Sequence, residues 1–140
     1  SPPPSMLTFD ATGREVCTAR RERTATPLQS LVLLNDPQFI EAARVLAEKL
    51  LKESGMQPDA RIQTAFRKLT SRLPTAREIG ILDRLFHDQR RHFEAVPDDA
   101  KSFLAAGESP RDESLNIAEL AAMTVVIETV MNFDECAFKR

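Results

Sequence analysis

Apolar residues recur at helical spacing along most of this chain, and nowhere alternate with period two for long enough to make a strand. Leu28, Leu31, Val32, Leu33 and Leu34 make the stretch from Thr26 to Asn35 nearly apolar all round. Thr26 is a candidate N-cap with Pro27 at the first helical position, so the pattern predicts a short, central helix. Asp36 and Pro37 repeat the cap-then-proline signal. Phe39, Ala43, Leu46 and Leu50 then form a stripe opposite Glu41, Arg44, Glu48 and Lys52, predicting an amphipathic helix that stops near Gly55. A third helix is expected from Asp59, with Ile62, Ala65, Phe66 and Leu69 inward and Arg61, Lys68 and Arg72 outward, ending before Pro74.

Thr75, Ala76, Arg77 and Glu78 spell a capping box, in which threonine and glutamate each satisfy an orphan backbone amide. The helix it opens carries Ile79, Leu82, Leu85, Phe86 and Phe93. Gly80 inside it reads as a point of close helix packing, because a helical glycine otherwise costs roughly 1 kcal/mol relative to alanine. Asp98 and Asp99 place favourable charge at the start of a short helix running through Phe103 and Leu104 to Gly107. A polar loop follows from Glu108 to Ser114, and a last helix runs from about Leu115 to Asn132. Pro2 to Ala25 has no helical period and reads as an extended arm. The expectation is an all-α fold: an arm over residues 1–25, then a compact bundle of five or six helices over residues 26–140, packed around the first and last of them.

Composition narrows the function. At 140 residues the chain fits one domain. A formal net charge of −2 gives no global field to draw it onto a nucleic-acid backbone. The most apolar stretch, Leu120 to Phe133, is interrupted by Glu128 and is shorter than the ~20 residues that cross a bilayer. Eight Phe with no Trp and no Tyr point to core aromatics, since recognition surfaces favour rings that also carry a polar group.

Few residues offer chemistry. Arg20, Arg21 and Arg23, with Thr24 and Thr26, lead directly into the first helix, where guanidinium forks and free helix amides both favour a sulfate, phosphate or carboxylate. The plainer alternative is that these arginines pair with acidic side chains and fix the arm. His87 and His92 are five residues apart, about 140° around a helix, which does not suit a shared metal and fits surface histidines. Asp98–Asp99 and Asp134–Glu135 are neighbours in sequence, and adjacent side chains diverge on a helix. Cys17 and Cys136 could bridge the arm to the C-terminus, or Cys17 could stay free and buried. No nucleophile elbow and no glycine-rich phosphate loop is written in the chain.

Several phrases occur together and in order. They are Phe9–Asp10, Cys17 with Arg20–Arg21, Thr24 to Gln29 running into Leu33 to Asp36, Arg72 to Thr75 with Glu78, Glu119 to Ala122, and Asn132 to Glu135. On these the chain resembles the planctomycete-type secreted domain, domain of unknown function 1553, and looks like its C-terminal part. Two places depart from that pattern: Met123 stands where the family commonly has Trp, and Cys136, Ala137 and Phe138 replace its usual ending. The resemblance implies an exported, periplasmic or extracellular parent in which this domain follows others, among them a cytochrome-c-like one. It supplies no catalytic residues and no cofactor for this chain, which also lacks a Cys-x-x-Cys-His haem motif. The expected role is a helical accessory domain that docks on upstream domains or a cell-envelope partner. The alternative is a fragment that completes an enzyme site for an anionic polysaccharide, with the arginines as an anion clamp.

Overall fold

The computed structural model describes residues 27–53 and 57–137. The expected arm over residues 1–25 lies outside the described residues, as does Gly55, at which the second helix was expected to stop. Among the described residues the order is α1 (Pro27–Asn35), α2 (Pro37–Lys52), α3 (Pro58–Thr70), α4 (Ala76–Ala95), α5 (Pro97–Leu104), α6 (Ile117–Met131) and the single turn α7 (Asp134–Ala137). The all-α bundle expected from the periodicity is what forms.

Local chemistry sets the boundaries. Pro27, Pro37, Pro58 and Pro97 each occupy the first position of a helix, where the missing amide hydrogen would have had no partner. The Asp36 carboxylate accepts from the Gln38 amide at 2.9 Å to open α2. Ser71 ends α3 in the left-handed region at φ 63°, its amide donating to the Arg67 carbonyl. The capping box then forms as written: the Thr75 hydroxyl accepts from the Glu78 amide at 3.3 Å, and Glu78 Oε2 accepts from the Thr75 amide at 2.7 Å. Asn116 caps α6 by accepting from the Glu119 amide at 3.0 Å.

The bundle is built around α6. This helix is apolar on nearly every face and buries Leu120, Ala121, Met123, Val126, Ile127 and Val130 against α2, α3, α4 and α5. Ala43, Ala47 and Leu50 face it from α2, Ile62, Ala65 and Phe66 come from α3, and Leu82, Phe86 and Phe93 come from α4. Alanines at facing positions let the axes approach, and aromatic rings fill what remains. Phe66 meets Phe133 edge-on at 5.8 Å, and Phe93 stacks on Phe103 at 6.0 Å.

Four sequence expectations need correction. The first helix is not central: α1 buries only Gln29 and Leu33, while Leu28, Leu31 and Leu34 are 57%, 56% and 43% exposed. Its nine residues end at Asn35, where Asp36 in extended conformation before Pro37 separates it from α2. Arg44 does not face solvent; among the described residues it is the largest side chain that the fold buries completely. The connection over residues 105–116 lies across the polar face of α2 and covers it, and the Arg44 Nη2 donates to the Ser109 carbonyl at 2.7 Å while Nη1 donates to Glu48 at 2.8 Å. Gly80 marks no close approach, since a Cβ built there meets nothing within 4 Å. Arg61 and Arg72 are also not simply solvated: Arg61 bonds Glu119 of α6 at 2.8 Å, and Arg72 reaches Glu78 and, in α7, Glu135, each at 2.7 Å.

Candidate functional site

The two surfaces with unusual chemistry are the outer face of α1 and the seam where α1 meets the end of α6. On α1, residues 28, 31 and 34 fall three apart and share one side of the helix, so the three exposed leucines make a continuous apolar strip. Exposed leucines scattered singly are ordinary on a protein surface, whereas these three are grouped on one short helix. The strip begins five positions after Arg23, the last arginine of the arginine-dense segment. Arg20, Arg21, Arg23, Thr24 and Thr26 themselves, the sequence-predicted anion or docking residues, lie outside the described residues, as does Cys17.

The seam is polar. The Asn132 side chain, at the C-cap of α6, donates from Nδ2 to the Ser30 carbonyl of α1 at 3.3 Å. One turn earlier on α6, Glu128 is only 5% exposed. Neither Glu128 Oε1 nor Asn132 Oδ1 has a hydrogen-bond partner, although both atoms are buried. Burial alone pushes the Glu128 carboxyl up to about 7. Orphaned buried acceptors are rare in folded proteins, and each costs about 1–3 kcal/mol. Two of them one helical turn apart set this seam apart from the other polar clusters in the described fold.

The other clusters are structural, and their orphaned buried atoms are donors, Arg44 Nε and Arg61 Nε, rather than acceptors. On α2, Glu41 accepts from the Glu108 amide at 3.0 Å and the Ser109 amide at 2.9 Å, and from the Ser109 hydroxyl, which together with Arg44 hold its carboxyl down at about 2. Glu48 accepts from the Asp112 amide at 3.2 Å, and Lys52 pairs with Asp112 at 2.5 Å. The face therefore works as a rail that pins the connection over residues 105–116. Near α7, the Arg72 guanidinium spans Glu78 and Glu135 and lies 4.7 Å above the Phe66 ring. A carboxyl held at about 2, as Glu78 is by Arg72, is a poor general base at neutral pH.

The histidines are surface residues, each 3.4 Å from a carboxylate: His87 from Asp83 within α4, His92 from Asp99 of α5. Asp98 pairs with Lys101 instead, so the adjacent acids go separate ways. Cys136 is a free thiol, partly buried, and burial pushes it up. Among the described residues no group of three or more His, Cys, Asp or Glu side chains is placed to hold a metal, and no helix is long and apolar enough to cross a membrane.

A family model described as PSD1, protein of unknown function (DUF1553), matches residues 1–86, more than half of the chain. The chain belongs to that family. Within the PSD1 match fall the arginine-dense segment, the leucine strip, α2, α3 and α4 as far as Phe86. The seam residues Glu128 and Asn132 lie beyond it. No curated protein and no solved structure matches the chain.

Sequence reading missed the seam. Glu128 was visible as the one charge inside the run from Leu120 to Phe133, and that isolation was the available signal. The leucine strip is visible too, as apolar residues on every side of the first helix, a pattern that by itself points to the core.

Proposed function

We propose that this PSD1 chain is a helical interaction module of a larger exported polypeptide, docking on the parts of that polypeptide that precede it through the outer face of α1. The observation that carries the reading is the strip of Leu28, Leu31 and Leu34 on a helix that buries only two of its own side chains. α1 and the arginine-dense segment before it are contiguous in the chain, so a partner of α1 would meet apolar residues whose neighbours in sequence are basic. The rest of the described surface supports a scaffold role, since its strongest polar clusters tie helices and loops of this chain to one another.

The test is a pair of surface variants, Leu31→Asp and Leu34→Asp, measured for binding to the preceding segment of the parent polypeptide. Each leucine is exposed in the free chain, so thermal stability should change within about 0.5 kcal/mol. Burial of one leucine at an interface is worth roughly 1.5–3 kcal/mol, so each variant should weaken binding at least ten-fold. Unchanged affinity in both variants would refute the reading.

A further inference from the structure

We propose that the seam between α1 and the end of α6 receives a basic side chain of the docked segment, with Glu128 and Asn132 supplying the acceptor oxygens. The inference rests on the docking reading above and names the partner's chemistry at one position.

The Asn132 bond to Ser30 fixes which face of this end of α6 looks toward α1. Residues four apart on a helix share a face, so Glu128 lies one turn back along the same seam. Glu128 Oε1 and Asn132 Oδ1 are both buried and both lack a donor. α1 carries no ionisable side chain to answer them, and the other carboxylate of α6, Glu119, is already bonded to Arg61. A seam of unanswered acceptors with one ionisable member is complementary to a guanidinium or an ammonium, which carry several donors and no acceptor. Ser30 is exposed and Asn132 half-buried, whereas the two acceptor atoms are buried, so an incoming head group enters from the Ser30 end and parts the seam. Leu28, Leu31 and Leu34 continue the same helix outward. The fitting occupant is therefore a segment with apolar side chains flanking one lysine or arginine, whose methylene stem lies along α1 while its charged head enters the seam.

The experiment follows the amides of the isotope-labelled full chain by nuclear magnetic resonance at pH 8, with ethylguanidinium chloride as the probe and equal sodium chloride as the control. Saturable shifts at Glu128 and at the Asn132 side-chain amide are expected at millimolar probe. They should vanish in Glu128→Gln and weaken at pH 6, where the carboxyl holds its proton. Circular dichroism checks that this variant keeps its fold. Equal shifts in the variant, or none in either protein, overturn the inference. Shifts that appear only when Arg20, Arg21 and Arg23 are all replaced by alanine overturn it too, because the seam would then already hold the chain's own arginines. With the preceding segment as ligand, Glu128→Gln should lose at least ten-fold in affinity at pH 8. Undiminished binding by that variant overturns the inference and leaves the docking reading standing, whereas no binding by the unaltered chain overturns both.

Discussion

Glu128 ionises against its surroundings, and the consequence is a stability that depends on pH. Its folded-state value of about 7 stands above the ordinary 4.5, so between those values the native chain binds more protons than the unfolded one. This contribution is fully present below pH 4.5, falls as pH rises, and is lost above about 7, a change of roughly 3 kcal/mol. Glu128→Gln should therefore stabilise the chain at pH 8 and do little at pH 5, as read from denaturant unfolding at both values. Parallel profiles for the two proteins would contradict this. The glycines give a second contrast. Gly80→Ala fills open space at an exposed position of α4 and should gain up to about 1 kcal/mol. Gly107 sits at φ 97°, and a Cβ there would lie 2.7 Å from the Glu41 Cβ, so Gly107→Ala should lose about 2 kcal/mol in the same assay.

At the scale of elements, α2 shows how a polar stripe becomes an interior. Arg44 neutralises Glu48 and holds the Ser109 carbonyl under the connection over residues 105–116. Arg44→Ala would leave the Ser109 carbonyl without its side-chain donor and Glu48 without its cation, with only the Asp112 amide remaining to Glu48, and should cost about 3 kcal/mol or more. Glu41 works from the other side: its value of about 2 means the clamp survives acid until pH falls through that range, with the stability it contributes present above 4.5. Glu41→Gln should raise hydrogen exchange at the Glu108 and Ser109 amides even at neutral pH, and unchanged exchange would show that the clamp is not holding them. The existence and order of the helices were legible in the sequence because proline, the capping box and the 3.6-residue period are local signals. The burial of Arg44 was not, because the carbonyl that receives it is 65 positions away and periodicity places Arg44 beside Glu41, Glu48 and Lys52. α1 was misjudged for a related reason: apolar residues all round a helix imply burial, but the pattern does not say whether this chain or another supplies the cover.

For the whole molecule, a bundle closed around α6 leaves one short helix, α1, at its rim with an apolar face outward and a polar seam beneath. The candidate site was thus half legible: the leucines and the arginine-dense segment stand out in the sequence, while the seam is made only when Asn132 bonds Ser30, 102 positions away. The claim that this face is a dock is tested most directly by titrating the isotope-labelled chain with the preceding segment of its parent polypeptide and following every backbone amide. The account predicts saturable shifts concentrated on Pro27 to Asn35 and on Glu128 to Asn132, with α2 to α5 little changed. A cooperatively folded chain whose shifts are absent there, or fall instead along α4 and α5, would contradict it.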